Sequence, residues 1–478
     1  MSGTSLLDSL ADELVVAVGA DYVSRHDDVL SAYARDAYPL ALRAAGGRTG
    51  LGVRPDIVVR PANTAEVAKV VATARRRRIP VVPYGGGSGI CGGALATAGG
   101  LVLDLKRLDA VVEMDVESMV VTVGAGILGG ELERRLGMHG FTCGHYPQSL
   151  YSSTVGGWIS HRGVGTFSTR YGKMDDLLVS LEVVLPGGDI LRTRTVPTSA
   201  AGPDLNRLFL GAEGTLGVIT EATLKMFVRP AYRRHSAYRL GDIATGLTSI
   251  REVIQAGYRP AVVRLYDAVE TETLFGPVPG AEGATTLLVL DEGPVDLVDA
   301  SLVAMDKAVA TQGGGPLGSE VGEHWLENRY STAALCETLA KAGGVADAIE
   351  VANNYRMLAR TYDAMKASME AVSSRVKVYG HASHFYHSGG NLYMIFHAEV
   401  DDPSDAPGLY HQVLGAALSA CHAQQGTLTH HHGVGIAKAR HMPTEWGDAG
   451  VSLWRAIKGA VDPGDVMNPG HKLLPADD

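Results

Sequence analysis

Three consecutive histidines, His430, His431 and His432, form the densest cluster of chemically reactive side chains in the sequence. Histidine titrates close to neutral pH, so this cluster can supply a general base or bind an anionic group. In an extended strand, His430 and His432 would share one face and His431 would take the other. The triplet therefore predicts a catalytic or anion-binding site, and a hydrogen-bonded structural cluster is the alternative.

A glycine-rich stretch, Gly85 to Gly89, follows the strand-like residues Val81 and Val82 and the pair Pro83-Tyr84. Glycines let a chain turn tightly, and successive N–H groups in such a loop can surround an anion, most often a pyrophosphate. The alternative is a flexible surface loop.

The same stretch contains a GxGxxG match at 87–92, but that pattern needs a helix opening at its third glycine. Here the chain runs through 94–98 into a predicted strand, which disfavours a nicotinamide-binding Rossmann fold. The GxxxxGK[ST] pattern of nucleotide hydrolases is absent from the sequence.

Two further glycine patches carry interleaved hydroxyl side chains, one at 152–157 and the other at 213–217. Each patch alone reads as a turn. Three such loops beside strand-like runs in one domain favour a long, phosphate-bearing cofactor that is held largely by backbone groups.

The elements that must position these loops alternate between strands and helices from about residue 54. Asn63 to Glu66 resembles a capping box that opens a helix. The other expected elements are a helix at 5–17, strands at 57–60, 79–82, 101–105 and 119–123, a helix at 128–138, and a hairpin at 178–185 and 190–192. A change of texture near Arg229-Pro230 predicts a domain boundary, followed by a second α+β domain that extends to about 425.

Length and composition narrow the class of protein. A chain of 478 residues is too long for one core, so two or three domains are expected. A net charge of −10 argues against nucleic-acid binding, and the basic run at 75–78 is expected to close a helix. Four scattered cysteines, an acidic N-terminal segment and the absence of any membrane-length apolar run predict a soluble cytoplasmic protein.

Four segments together resemble the FAD-dependent vanillyl-alcohol oxidase/p-cresol methylhydroxylase superfamily, and within it the alkyldihydroxyacetonephosphate synthase branch. These segments are 83–88, 153–160, 211–220 and 430–435. The resemblance implies an α+β fold with a two-part, PCMH-type FAD-binding domain and an α+β substrate cap. The implied boundaries are the FAD-binding domain at 54–232, the cap at 233–425, and a C-terminal segment at 426–478 that completes the flavin site. The residues before them, 1–53, are predicted from their own pattern to form a helical N-terminal segment.

The resemblance also implies which residues hold FAD, with the pyrophosphate at the glycine loop. The implied cofactor-binding residues are Pro83, Tyr84, Gly85, Gly86, Gly87, Ser88, Gly89, Pro147, Ser149, Thr154, Gly156, Gly157, Ser160, Glu213, Gly217 and Ile219. Several superfamily members attach FAD covalently through a histidine in the glycine loop, where this chain has Gly87-Ser88. Non-covalent FAD is therefore expected.

For catalysis, Tyr393 matches a functional tyrosine of the synthase branch, as the triplet His430, His431 and His432 matches its histidines. A phenol beside the flavin could act as acid or base if its pKa were lowered. We expect Tyr393 with His431 or His432 to take a hydroxyl proton. Arg264 matches a family Arg-Leu segment and is expected to orient the substrate.

Two departures from the superfamily patterns matter. A related branch binds a divalent metal through a GHxGDGNLH segment and a later EHGIG segment, but here Tyr393 and His431 stand at two ligand positions. No metal is predicted, and a mixed-histidine site is the alternative. The synthase branch also has an essential arginine where this chain has Cys336, which cannot replace a guanidinium. Arg329, about two helical turns earlier, is a candidate substitute.

The sequence therefore predicts an FAD-dependent oxidase or dehydrogenase that moves a hydride from a hydroxyl-bearing carbon, in an alcohol or 2-hydroxy acid, to flavin N5. The first alternative is the synthase-like exchange of an acyl for an alkyl chain in ether-lipid synthesis. The second is a binding protein that retains flavin without turnover. The expected partner is a small-molecule substrate, with no nucleic acid and no transmembrane segment, and a homodimer is left open.

Overall fold

The structure is a computed structural model that describes residues 3–45, 51, 53–276, 278–330, 344–470 and 473–474. Its strands form three larger sheets and one two-stranded pair. Cys336 and its neighbours lie outside the described residues.

The first sheet positions the glycine loop. Its strands are β1 (Val23–Ser24), β2 (Ile57–Val59), β3 (Val81–Tyr84) and β4 (Leu101–Asp104), in the order β1-β2-β4-β3. Strands β2 and β3 both run parallel to β4, and the β-branched residues of β2 are fully buried. The helix Thr64–Arg77 begins at Asn63, whose side chain accepts the N–H of Glu66, and its basic last turn ends at Arg78 in a left-handed conformation. The glycine loop thus leaves the carboxyl end of a buried parallel strand.

The second sheet is antiparallel, and the glycine patch at 213–217 leads directly into one of its strands. Its order is β5-β6-β10-β8-β9, with β5 at Val111–Asp115, β6 at Val120–Gly124, β8 at Leu178–Val184, β9 at Ile190–Arg192 and β10 at Val218–Lys225. The predicted hairpin corresponds to β8 and β9. Strands β7 (Phe141–Thr142) and β11 (Phe227–Val228) form the separate pair.

The third sheet has seven strands in the order β15-β12-β14-β13-β17-β18-β16. The strands are β12 (Arg233–Leu240), β13 (Val262–Tyr266), β14 (Thr285–Glu292), β15 (Gly315–Gly318), β16 (Val345–Asn354), β17 (Val376–Ser383) and β18 (Gly389–Ala398). The alternate residues Val263 and Leu265 join a core with helices of this part of the chain, whereas Arg264 and Tyr266 take the opposite face.

Helices flank these sheets, and they pack on both faces of the first sheet and of the third. Besides Thr64–Arg77, they are Gly3–Val18, Asp27–Ala32, Pro39–Ala45, Gly129–Met138, Val155–Ser160, Ser168–Tyr171, Met174–Leu177, Asn206–Phe209, Ile243–Gln255, Ala268–Phe275, Val295–Thr311, Glu320–Asn328, Tyr355–Glu370, Ala406–Ala423, Gly435–Lys438 and Met442–Val461. In the part of the chain that the structure describes, no helix is both long and apolar enough to cross a membrane. The domain boundaries expected from the sequence stay predictions.

The C-terminal segment returns to the first sheet. The N–H of Val81 donates to the carbonyl of Val466, and the N–H of Asn468 donates back to the carbonyl of Val81, each at 2.8 Å. The side-chain amide of Asn468 also donates to the carbonyls of Gly93 and Glu213. Strand β3 is therefore supported from a segment that lies far away in sequence.

Candidate active site

The three predicted glycine loops meet in space. A Cβ on Gly86 would lie 1.7 Å from the carbonyl oxygen of Ser152, and one on Gly85 would lie 2.3 Å from Oγ1 of Thr154. A Cβ on Gly214 would lie 2.9 Å from the ring of Pro83. Side chains at these glycines would push the loops apart, so the glycines permit the close approach of backbone to backbone.

The glycine loop also presents unused hydrogen-bond donors. In the described part of the chain, none of the N–H groups of residues 85–89 donates a hydrogen bond, and the loop is only partly buried. The ammonium group of Lys106 lies 3.1 Å from the carbonyl oxygen of Gly85. Free N–H groups with a nearby cation are what an anionic diphosphate requires, so the residues present fit the FAD pyrophosphate.

The remaining predicted cofactor residues differ in the hydrogen bonds and burial that hold them in place. Thr154 caps the helix Val155–Ser160 by accepting the N–H of Gly157, and the N–H of Gly156 donates to the carbonyl of Ala125. Ile219 is nearly buried in β10, where it pairs with Val183. Their assignment to FAD stays a prediction, as does that of Pro147, Ser149, Ser160 and Gly217.

Glu213, predicted as a cofactor residue, has a different set of contacts. Its buried carboxylate accepts the N–H of Val434 and, at 2.9 Å, the N–H of Gly435. Burial raises the pKa of this carboxyl above its ordinary value, although the nearby charge of His161 and the two N–H groups oppose the shift. The side chain of Glu213 thus binds the C-terminal loop to the second sheet.

The histidine triplet is not in a strand, which corrects the expectation that His430 and His432 share a face. The three residues lie in a bend, and the carboxylate of Glu350 accepts their backbone N–H groups. The N–H of His430 lies 2.7 Å from Oε2, and those of His431 and His432 lie 3.3 and 2.6 Å from Oε1. The ammonium group of Lys438 lies 3.3 Å from the same Oε1. A buried carboxylate therefore fixes the conformation of the whole triplet.

The surroundings of this cluster lower the pKa values of Glu350 and of all three histidines. Burial alone would raise the pKa of Glu350, but the charge of Lys438, the neighbouring histidines and the N–H donors outweigh burial and hold it well below its usual range. Burial lowers the pKa of His430 to about 3 and that of His432 to about 4, and it lowers the pKa of His431 well below its ordinary value. At neutral pH, all three imidazoles are uncharged.

Tyr393 lies in a row of directly opposed residues that crosses four strands. Tyr266 pairs with His381, His381 with Tyr393, and Tyr393 with Glu350. Residues paired in this way point to the same face of a sheet. The hydroxyl of Tyr393 lies 2.5 Å from Nε2 of His431, so the structure selects His431 over His432 as its partner.

Tyr393 does not have the lowered pKa that would favour its phenol as an acid or base. Burial raises the pKa of its phenol, and the charge of Arg264 opposes this shift without reversing it. The hydroxyl is therefore protonated at neutral pH and shares its hydrogen with a neutral imidazole.

Arg264 belongs to a buried chain of polar groups. Its Nη2 donates to Nε2 of His381 at 2.6 Å, and Nδ1 of His381 lies 2.8 and 2.9 Å from the two carboxylate oxygens of Glu270. Because an arginine can only donate, Nε2 of neutral His381 must accept, and Nδ1–H must donate to Glu270. The ring of His381 stacks on that of Tyr393, with centroids 4.6 Å apart.

A cavity opens beside these groups. Its polar wall includes Arg264, His381, Tyr393 and Arg329, and its apolar wall includes aromatic and aliphatic side chains. The apolar residues are Tyr266, Leu274, Phe275, Trp325, Ile395 and Phe396. Such a mostly apolar pocket with a few convergent polar groups is typical of a small-molecule site.

Two arginines face this cavity with unsatisfied donors. Nε of Arg264 and Nη1 of Arg329 are buried, and neither has a hydrogen-bond partner in the described residues. Burial lowers the pKa of Arg329, which remains a cation packed against the rings of Tyr330 and Trp325. The sequence offered Arg329 only as a candidate substitute for the arginine that is missing at Cys336. In the structure, Arg329 lines the cavity.

Several residues of the site escaped sequence reasoning. Glu350 had one weak signal, a carboxylate between the apolar residues Ile349 and Val351 of a buried strand. Glu270 belongs to no recognisable motif, so nothing in the sequence marked it as a residue of the site. His381 stands in a histidine-rich stretch with His384 and His387, but nothing in the sequence pairs it with Arg264. Among the described residues, no group of histidine, cysteine, aspartate or glutamate side chains has the arrangement of a metal site.

Comparison with known proteins gives two family matches that together cover most of the chain. The profile described as "FAD binding domain" matches residues 55–194, and that described as "FAD linked oxidases, C-terminal domain" matches residues 229–471.

Three curated relatives illustrate the range of similar proteins. The uncharacterized FAD-linked oxidoreductase YgcU of Escherichia coli strain K12 is 30% identical over 476 residues, covering 97% of each chain. Alkyldihydroxyacetonephosphate synthase of Dictyostelium discoideum is 29% identical, covering 88% of this chain and 73% of its own. The mitochondrial D-lactate dehydrogenase [cytochrome] of Arabidopsis thaliana is 30% identical, covering 88% and 74%.

Two solved structures share the fold. One is an alkyldihydroxyacetonephosphate synthase, with a TM-score of 0.81, 24% identity and coverage of 96% of this chain and 85% of the other. The second is p-cresol methylhydroxylase with substrate bound, with a TM-score of 0.78, 16% identity and coverage of 99% and 98%. These likenesses confirm the predicted α+β, PCMH-type fold class.

Proposed function

Because the chain belongs to the family of FAD-linked oxidases, we propose that it oxidises a hydroxyl-bearing carbon of a small alcohol or 2-hydroxy acid. Family membership confirms the resemblance seen in the glycine and histidine motifs, and with it an FAD-dependent oxidase or dehydrogenase. The substrate class and the roles of individual residues are proposals.

FAD would be held by its pyrophosphate at the free N–H groups of residues 85–89, with the loops at 147–160 and 213–219 around the rest of the cofactor. When bound, FAD supplies the oxidising ring whose N5 takes the hydride. No histidine is available at Gly87-Ser88, so we propose that the cofactor is held without a covalent bond.

The observation that carries the proposal is that Tyr393 lines the cavity and its hydroxyl is bonded to a neutral imidazole. As the substrate C–H bond breaks, the O–H proton must leave for a carbonyl to form. Tyr393 can accept that proton while passing its own to Nε2 of His431. No phenolate is needed, which agrees with the raised pKa of Tyr393.

The two arginines favour a substrate with an anionic group. A carboxylate between Arg264 and Arg329 would satisfy their free N–H groups, Nε and Nη1 respectively. That geometry would place the carbon next to the carboxylate beside Tyr393, as a 2-hydroxy acid requires. The name of the Arabidopsis relative, a D-lactate dehydrogenase, points to the same class.

The same arginines support a second candidate, acyl-to-alkyl exchange on a phosphate ester, because a phosphate also suits two guanidinium groups. The Dictyostelium relative bears the name of that synthase. Against it stands Cys336 at the position of the family arginine, which Arg329 would have to replace.

A substrate panel scored by anaerobic loss of the oxidised flavin absorbance separates these candidates. We expect bleaching by a 2-hydroxy acid or alcohol, and none by acyl-dihydroxyacetone phosphate. Exchange of an alkyl chain with retention of the phosphate would overturn the proposal in favour of the synthase reaction. FAD that no member of the panel reduces or exchanges would favour a binding protein.

The role of Tyr393 is tested by Tyr393→Phe in the same assay. We expect FAD to remain bound and flavin reduction to slow by about 10²- to 10⁴-fold, the usual contribution of a general acid or base. The matched control is Tyr355→Phe, which removes a hydroxyl that donates to the backbone carbonyl of Tyr386. Equal rates in wild type and Tyr393→Phe would remove Tyr393 from the mechanism.

Non-covalent attachment is tested by acid precipitation. We expect the yellow colour to stay in the supernatant, because only contacts of the folded chain hold the cofactor. Colour that stays with the pellet would contradict this expectation.

A further inference from the structure

The hydrogen bond of Tyr393 is the first in an unbroken series. Nδ1 of His431 lies 2.8 Å from Nδ1 of His430, and Nε2 of His430 lies 2.7 Å from the hydroxyl of Tyr386. With the Tyr393–His431 bond, the series joins four side chains and uses both nitrogens of both imidazoles. The order is Tyr393, His431, His430, Tyr386.

The donors and acceptors of this series allow only two complete arrangements. A neutral imidazole has one N–H and one bare nitrogen. If Tyr393 donates to Nε2 of His431, then His431 must donate from Nδ1 to His430, and His430 must donate from Nε2 to Tyr386. The other arrangement reverses every bond. In both arrangements, the two rings carry their protons on opposite nitrogens.

The two ends of the series lie in different surroundings. Tyr393 lines the cavity, among the groups that would meet substrate. Tyr386 is partly exposed and is followed by the exposed residues His387 and Ser388. The charges of Asp175 and Asp176 act on Tyr386, and the buried carboxylate of Asp175 pairs with the exposed side chains of Arg162 and Arg207. The series thus leads from the cavity to a partly exposed tyrosine beside charged side chains.

We propose that Tyr393, His431, His430 and Tyr386 form a proton path from the substrate to solvent, with Tyr386 as its outer end. This rests on the proposed oxidation of a hydroxyl group. The substrate O–H bond breaks and its proton joins the oxygen of Tyr393, whose own proton passes to Nε2 of His431. The Nδ1 proton of His431 passes to Nδ1 of His430, the Nε2 proton of His430 passes to Tyr386, and the proton of Tyr386 passes to water.

Protons and electrons balance in this sequence. Each of the four side chains gains one proton and loses one, so none becomes charged, and one proton leaves the site. The electron pair of the substrate C–H bond goes to FAD, as in the proposed oxidation. After one proton has crossed the path, the direction of every hydrogen bond in it is reversed. In this second arrangement the path can carry a proton inward but not outward. Reoxidation by oxygen, which consumes a proton when peroxide forms, would restore it.

The burial of the two histidines supports this path, because both have lowered pKa values and stay neutral at pH 7. Glu350 fixes the backbone of both residues, which keeps the Nδ1 atoms in register. His430 and Tyr386 therefore act on the substrate only through Tyr393 and His431, and they need not touch the substrate.

The first test needs no substrate. In ¹⁵N NMR of the FAD-loaded protein with ¹⁵N-labelled histidine, assigned with His430→Gln and His431→Gln, we expect His430 and His431 to be neutral at pH 7 and to be opposite tautomers. Tyr386→Phe should change the tautomer population of His431, two bonds away. The path would be overturned if either imidazole were charged at pH 7 or if the two rings were the same tautomer. It would also be overturned if Tyr386→Phe left the tautomer population of His431 unchanged.

The second test follows flavin reduction in H₂O and D₂O with the substrate found in the panel. In Tyr386→Phe, we expect reduction to slow about tenfold and the solvent isotope effect to grow, because the proton loses its outer acceptor. Tyr355→Phe, which alters the same turn outside the path, should keep both values. An unchanged isotope effect in Tyr386→Phe would overturn the path. Failure of every substrate would overturn the oxidase function instead, and the NMR result would then decide the path.

Discussion

The glycine loop at 85–89 and the histidine loop at 430–432 treat their backbone N–H groups in opposite ways. The glycine loop leaves its N–H groups unbound in the described structure, whereas the histidine loop donates all three of its groups to the carboxylate of Glu350. One loop has backbone donors free for an anion, and the other already holds the carboxylate of Glu350. The histidine loop is therefore left with its side chains, and not its backbone, for further contacts.

Glu350→Gln should have the largest effect on this contrast. It removes the charge that holds the histidine loop and leaves Lys438 buried without its partner. Loss of one member of a buried ion pair usually costs about 3–5 kcal/mol. We expect the free energy of unfolding, measured with denaturant, to fall by about that amount. A loss below about 1 kcal/mol would mean that the loop does not depend on its internal anion.

Gly86→Ala tests the other side of the contrast. The added methyl group would lie 1.7 Å from the carbonyl of Ser152, so the loop must move. Overpacking typically costs about 1–3 kcal/mol, and we expect FAD affinity to fall roughly 30-fold if about 2 kcal/mol is lost from the bound form. Bound FAD per chain after gel filtration is the readout.

The control for Gly86→Ala is Gly459→Ala, in a helix where a methyl group meets nothing within 4 Å. It should retain FAD in full. Equal FAD content in both variants would show that the glycine loop is not a tight part of the cofactor site.

Glu213→Gln should have a smaller effect than Glu350→Gln. Glu213 also accepts two backbone N–H groups, but no buried cation depends on it as Lys438 depends on Glu350. The amide keeps one acceptor and places a donor against the second N–H, so we expect a loss of about 1–2 kcal/mol in unfolding free energy. A loss as large as that of Glu350→Gln would remove the distinction between the two carboxylates.

The pH dependence of the two variants should have opposite signs. The folded pKa of Glu350 is lowered, so its contribution is present above its unfolded pKa of about 4.3 and is lost as pH falls through the region below it. The folded pKa of Glu213 is raised, so its contribution is present below about pH 4.3 and is lost as pH rises through its folded pKa.

Denaturant titrations between about pH 3 and pH 7 check this difference. The gap in unfolding free energy between wild type and Glu350→Gln should widen with rising pH, and the gap for Glu213→Gln should narrow. One unit of pKa shift corresponds to about 1.4 kcal/mol, so changes of that order are expected. Parallel curves would contradict the assignment of charges.

The contrast between the loops also explains what sequence reasoning could find. The glycine loop is a local feature, because the conformations that Pro83 to Gly89 permit are set by those residues themselves. The same holds for the helix that begins at Asn63. The resemblance to known flavoproteins rested on such local segments, and the fold class and family followed from it correctly.

The contacts within the candidate site could not be found in this way. Tyr393, Glu350 and His431 come from two strands and a bend, and the register of β16, β17 and β18 decides that they meet. No local pattern fixes a register between strands that are tens of residues apart. The same holds for Arg264 and Glu270, which His381 joins from another strand. Hence the sequence could single out Tyr393 as a candidate, but not the direction of its pKa shift, which depends on burial between the strands.

The return of the C-terminal segment to β3 has a consequence for synthesis. The hydrogen bond between Val81 of the glycine-loop strand and Val466 cannot form until Val466 has been synthesised. The same holds for the hydrogen bond between Glu213 and Gly435. At about 5–20 residues per second, the 385 residues from position 82 to position 466 take roughly 20–80 s to make. During that interval the emerging chain has its glycine loop but neither the histidines nor the segment that braces it. A nascent chain should therefore acquire FAD late, when translation is almost complete.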